Sequence, residues 1–182
     1  VFRAQMLSSE MGMLARNCAA SFPGGHVVLG QGDVFVHSGG APETILTARA
    51  RRWLFSNLDA NNYARSFVVA NPLANEVWIC FPEINESACT KALVWNWQAN
   101  TLGVRELPDA TGGNTGVVDA NLADTWDAAD EPWASDTDKW NQSATTRTAT
   151  RLTLASLDSR ILLMDSTASF SGVPVNASLE RT

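Results

Sequence analysis

No apolar run in this 182-residue chain approaches the roughly 18 residues that a membrane-spanning helix requires. Cations are also short: thirteen Lys and Arg stand against nineteen Asp and Glu, a net charge of −6. A protein that grips a nucleic-acid backbone needs clustered positive charge, so such binding is not expected. The three cysteines, Cys18, Cys80 and Cys89, form no C-x-x-C pair, and signal neither a zinc site nor a disulfide framework. Only two histidines occur, His26 and His37, with no acidic third member at metal-ligand spacing. G-x-S-x-G, G-x-x-x-x-G-K-[ST] and G-x-G-x-x-G are all missing, which removes the motif basis for a serine hydrolase or a nucleotide-binding enzyme. Glu83 and Glu86 share a loop but read as solvated carboxylates rather than an acid–base pair. No enzyme activity, cofactor or metal is therefore expected.

What the chain does have is alternation. The period-2 pattern places short strands at 17–22, 26–29, 34–37 and 43–46, separated by Pro23-Gly24-Gly25, Gly30-Gln31-Gly32-Asp33 and Ser38-Gly39-Gly40. Short strands joined by tight Gly-rich turns predict a first small meander over 1–46. Thr47 is a candidate cap for a helix over 47–57, within a linking segment over 47–65. Its Arg49, Arg51 and Arg52 suit either a solvated face or contact with phosphate or an acidic neighbour. Residues 66–107 then predict four antiparallel strands, at 66–70, 76–81, 91–97 and 101–107. Glu76 to Phe81 is apolar on both faces, as expected of a strand covered above and below. This 42-residue unit has the size of one β-propeller blade.

The segment 108–182 reads as a third, incomplete meander, with strands at 117–118, 151–157, 160–164 and 173–180 around an insertion over 119–146. Inside the insertion Trp126, Trp133 and Trp140 recur every seven residues, and six acids fall between Asp124 and Asp138. Asp136-Thr137-Asp138 alternates carboxylates as a calcium loop does, but the central Gly and the closing Glu are missing. The three Trp suit a solvated loop whose rings fold back onto the sheet edge, an anchor on a neighbouring subunit, a loop lining a channel, or platforms for sugar rings. Two or three meanders fall short of the roughly four blades a closed propeller needs, so a larger chain or ring neighbours are expected to complete the structure.

Several phrases together resemble one protein class. Arg51-Arg52-Trp53-Leu54-Phe55, Asn62-Tyr63-Ala64-Arg65-Ser66-Phe67-Val68, Asn75-Glu76-Val77-Trp78-Ile79-Cys80-Phe81-Pro82 and Ala92-Leu93-Val94-Trp95-Asn96-Trp97 are similar to tail proteins of short-tailed, podovirus-like bacteriophages. The Trp-every-seven acidic loop and the closing Leu179-Glu180-Arg181-Thr182 fit the same group. The likeness lies in pattern and short phrases, from about Gly24 onward. It implies a tail nozzle or tail tube β-propeller protein, a structural ring component of the virion tail assembled in the bacterial cytoplasm. Its implied partners are copies of itself in a symmetric ring and adjacent tail or adaptor proteins, with double-stranded DNA passing transiently. The alternative from another class is a carbohydrate-binding β-module.

Overall fold

A computed structural model describes residues 11–119, 148–164, 169–170 and 173–174. The front of the chain forms the expected antiparallel meander, β1 (Ala19–Phe22), β2 (Gly25–Leu29), β3 (Val34–His37) and β4 (Glu43–Thr44), in that spatial order. Gly25 closes the first hairpin at φ 135°, and a Cβ there would lie 2.3 Å from the carbonyl oxygen of His37. Only glycine satisfies both the backbone angle and the close approach.

Helix α1 (Ala48–Asn57) follows, capped as anticipated: the Thr47 hydroxyl accepts from the Ala50 N–H at 3.2 Å. Leu54 is fully buried, and the Trp53 ring meets Phe81 edge-on at 5.8 Å. A single 3₁₀ turn, Tyr63–Arg65, then leads into the second sheet.

Strands β5 (Phe67–Asn71), β6 (Glu76–Phe81), β7 (Cys89–Asn96) and β8 (Thr101–Asp119) pair antiparallel in sequence order, as the alternation predicts. The connecting turns end on Asn75 and Asn100, both at positive φ (57° and 50°), a conformation asparagine tolerates better than most residues. The sheet does not stop at Leu107, however. β8 continues to Asp119 and pairs along its second half with β9 (Thr148–Ser156), which pairs with β10 (Ile161–Leu163). The result is one six-stranded sheet, β10-β9-β8-β7-β6-β5, where the sequence suggested a blade ending at 107 and a separate meander beginning at 108.

The reason lies at 107–112. Pro108 has no N–H to donate, Asp109 takes φ 43°, and the ladder slips between Cys89 and Lys91 on one side and between Ala110 and Gly112 on the other. These are strand-breaking signals, yet the strand bends there instead of ending, as strands do when they pass from one packed layer to another. Beyond the bend, β8 lies against β5 without joining its backbone ladder. Gly113 lies at this contact: a Cβ on it would sit 3.2 Å from the Phe67 ring of β5, and 2.6 Å from Cδ2 of Leu154, its ladder partner on β9.

The chain is thus mainly β, with antiparallel sheets of four and six strands and one helix. Two hydrophobic clusters lie on opposite faces of β5–β7. Val68, Val77, Ile79 and Phe81 pack with Val27, Leu29 and Leu54. Phe67, Val69, Trp78 and Cys80 pack with Leu152, Leu154 and Met164. The two-faced burial expected for residues 76–81 is realised, with the four-stranded sheet and helix on one side and the returning half of β8 with β9 on the other. At the back, β11 (Ser169–Phe170) pairs with β12 (Val173–Pro174). The remainder of the strand anticipated over 173–180, and the insertion from residue 120 onward, lie outside the described residues.

Replacing Gly113 with Val is expected to destabilise the fold by about 1–3 kcal/mol, the usual cost of overpacking a filled core. Gly103 has no atom within 4 Å of its would-be Cβ, so Gly103→Ala is expected to be neutral or slightly stabilising. Urea unfolding of both variants measures the difference; equal midpoints would contradict the close packing of Gly113 against Leu154 and Phe67.

Candidate interaction surfaces

The three arginines of α1 do not act as a set. Arg51 turns back onto the first sheet: its Nη2 lies 2.6 Å from Asp33 Oδ2 and donates to the Thr44 hydroxyl at 3.1 Å. Asp33 is held in turn by the Val34 N–H at 2.8 Å and the Thr44 hydroxyl at 2.9 Å, both on Oδ1. Arg51 therefore fastens the helix to the start of β3 and the end of β4. Arg49 and Arg52, three residues apart on the helix, are exposed and form no ion pair among the described residues. Of the charged residues singled out on α1, these two are available to a neighbour.

A tie invisible in the sequence pattern holds the exit of the helix. Asp59 is 4% exposed, and its carboxylate accepts three backbone N–H groups: Asn61 at 2.5 Å and Asn62 at 3.0 Å on Oδ1, and Asn85 at 2.7 Å on Oδ2. Those hydrogen bonds, the one from Asn85 foremost, hold its pKa below the usual carboxylate value of 3.8. The Asp59 N–H donates to Pro82 O at 3.0 Å, and Asn62 Nδ2 donates to Glu86 O at 3.1 Å. Arg65 Nη1 adds a bond to Ser87 O at 2.5 Å. Residues 59–62 read as turn formers, and the reach to Asn85, 26 positions away, has no local signal.

Other residues with possible chemistry have structural partners. His26 and His37 face each other across β2 and β3. His26 Nδ1 is 3.0 Å from the Ser21 hydroxyl, and His37 Nδ1 accepts the Gly39 N–H at 3.1 Å. Glu83 pairs with Lys91 at 2.8 Å, while Glu86 is exposed. Among the described residues no three His, Cys, Asp or Glu side chains gather as metal ligands. The cysteines are free and buried. Burial pushes the Cys89 thiol up to about 12 and that of Cys80 well above its ordinary value. Thiols so held stay protonated near neutrality and are poor nucleophiles. Cys18 and Cys89 donate to the neighbouring carbonyls of Ser66 and Arg65, each at 3.3 Å.

Trp126, Trp133 and Trp140 lie outside the described residues. The four other tryptophans work as packing groups. Trp78 and Trp95 are buried, and Phe22 packs on Trp95 and Trp97 at 5.4 and 5.6 Å. The Trp78 indole N–H donates to Glu76 at 2.9 Å, and Arg105 stacks over its ring at 4.8 Å.

Among the described residues a shallow, open cleft of about 480 Å³ lies where β1, β5 and the second half of β8 meet. Residues 68–70 of β5 line it between residues 19–21 of β1 and residues 113–115 of β8, with Arg16 and Asn17 alongside. Its lining mixes small apolar residues with Arg16, Asn17, Ser21, Asn114 and Thr115, and Ser21 is the residue whose hydroxyl meets His26 Nδ1. No protein-family model matches this chain, and no curated protein matches it either.

Two outcomes follow from these ties. The ionised Asp59 carboxylate stabilises the fold above its unfolded pKa near 3.8, and that contribution fades as pH falls through the lower folded value. Asp59→Asn should therefore lower the urea midpoint at pH 7, with the gap to the parent chain closing below about pH 4; a gap independent of pH would contradict the assignment. Arg51→Ala should cost about 0.2–1 kcal/mol, as for a partly exposed ion pair, whereas Arg49→Ala and Arg52→Ala should leave stability unchanged.

Proposed function

We propose that this chain is a structural component of a bacteriophage tail, a nozzle- or tube-type ring protein that forms part of the DNA-ejection conduit. The observation that carries the reading is where the resembling phrases fall. Those over 75–82 and 92–97 make up β6 and most of β7, paired to each other at the centre of the fold, and Arg51 to Phe55 is the middle of the helix whose Trp53 packs against Phe81. These three phrases thus belong to one packed unit among the described residues.

In this reading β5, β6, β7 and the first half of β8 are one blade of a propeller that chain beyond these strands or neighbouring copies complete. Rigid antiparallel layers suit a tube wall, which needs shape and not turnover. Arg49 and Arg52, with Trp126, Trp133 and Trp140, are the proposed contacts to neighbouring subunits and adjacent tail proteins. The net charge of −6 suits a conduit through which DNA passes without being held. The protein would act in the virion tail after assembly in the bacterial cytoplasm, without catalysis.

Electron microscopy of phage particles carrying the Trp126→Ala, Trp133→Ala and Trp140→Ala triple variant tests this directly. Loss of tail-ring assembly, with the Phe67–Asn71 to Thr101–Asp119 strands still folded by amide NMR, is the expected result. Normal particles that fail only in DNA delivery would move the three Trp to the channel wall. A parent chain that forms no ring, stays monomeric and binds sugars on a glycan array would instead favour the carbohydrate-binding module.

A further inference from the structure

The cleft beside β5 has a specific hydrogen-bonding character. Val68 N–H donates to Asn17 O at 2.8 Å, so Val68 directs its backbone groups away from β6. Outward and inward groups alternate along a strand in an antiparallel ladder, so Ala70 also points its N–H and C=O outward, as Val68 does its C=O. The parallel bridge between Asn17 and Phe67 occupies only the first step of this edge. Beyond it the Val68 C=O and both Ala70 groups have no backbone partner among the described residues.

The wall formed by β1 repeats the pattern. Leu29 N–H donates to Cys18 O at 2.8 Å, so residue 18 faces β2, and by alternation Ala19 and Ser21 direct their backbone groups outward. Natural edge strands are commonly blunted by a charged residue, a proline or a bulge. Residues 68–70 are Val-Val-Ala and have none of these. The edge is instead recessed between two walls, which keeps out a second sheet but leaves space for a single strand.

We infer that the β5 edge is a strand-addition site for an extended segment of another polypeptide. That segment would pair with Val68 and Ala70 and widen the central layer by one strand. At about 3.3 Å per residue, the three lining residues of β5 match a short run of extended chain. The side chains of such a strand would point alternately towards Ala19–Ser21 residues on one wall and Gly113 and Thr115 on the other, which selects small groups such as alanine, serine and threonine. Arg16, exposed beside the cleft and without an ion pair among the described residues, selects a carboxylate at that end. The inference stands on the edge geometry and does not require the tail assignment.

The test uses the whole chain and a blocked seven-residue peptide of alternating alanine and threonine with one terminal aspartate. At saturating peptide, NMR hydrogen exchange at the Ala70 amide should slow at least tenfold, while Val68, already bonded to Asn17, should change little. Arg16→Glu should weaken binding about tenfold. Ala70→Pro removes the outward N–H at an edge position that tolerates proline, and should abolish binding with the fold retained. If that variant does not fold, a peptide N-methylated at alternate residues gives the same decision by failing to bind. Equal binding of the methylated peptide, or unchanged Ala70 exchange at saturation, would overturn the inference. So would an Ala70 amide already protected in the free monomer, which means this chain fills its own edge, or one protected by raising chain concentration alone, which means a second copy does.

Discussion

The burial of β5, β6 and β7 on both faces is the constraint on which the remaining structure depends. Within six residues of β6, Val77, Ile79 and Phe81 enter one core while Trp78 and Cys80 enter the other, and all five are fully buried. A strand with this composition cannot leave either face to water, since each large side chain so exposed would forfeit about 1.5–3 kcal/mol. One face is covered by β1–β4 and α1. The other is covered by the same sheet folding back on itself, which is why β8 must bend instead of ending. Gly113, the positive φ of Asp109 and the ladder slips around it are consequences of that requirement.

Much of this was legible in the chain. The strands of both meanders, the Thr47 cap and the double-sided character of residues 76–81 follow from alternation, turn residues and capping chemistry, all of them local signals. The bend in β8 was not legible, because Pro108 and Asp109 look the same in sequence whether a strand stops or changes layer. Nor was the division among the arginines. Arg51 is distinguished from Arg49 and Arg52 by an Asp 18 positions earlier, a partner that only tertiary packing supplies. Asp59 and the recessed β5 edge were missed for the same reason: each depends on segments distant in sequence meeting in space. The three cysteines, which signal neither a zinc site nor a disulfide framework in the sequence, sit in the two cores.

The layered design has a functional corollary. With the central strands covered on both sides, contact with other molecules falls to edges, helix faces and loops. Arg49 and Arg52 offer charge on α1, and the β5 edge offers directional backbone groups. A subunit of a ring-shaped wall needs this combination of a stiff centre and a periphery able to join its neighbours, and the tail proposal draws on it. The free thiols do not detract from it, since burial holds those of Cys80 and Cys89 protonated and away from exchange chemistry.

Site-resolved native-state hydrogen exchange along β6 tests most directly whether one shared layer holds both cores together. Amides of Val77 to Cys80 should exchange only through global unfolding and be the slowest in the chain, with β1–β4 and β9–β10 opening at lower free energy. Faster exchange in β6 than in either covering layer would contradict the account, because the strand treated as the common support would then be opening independently of what it supports.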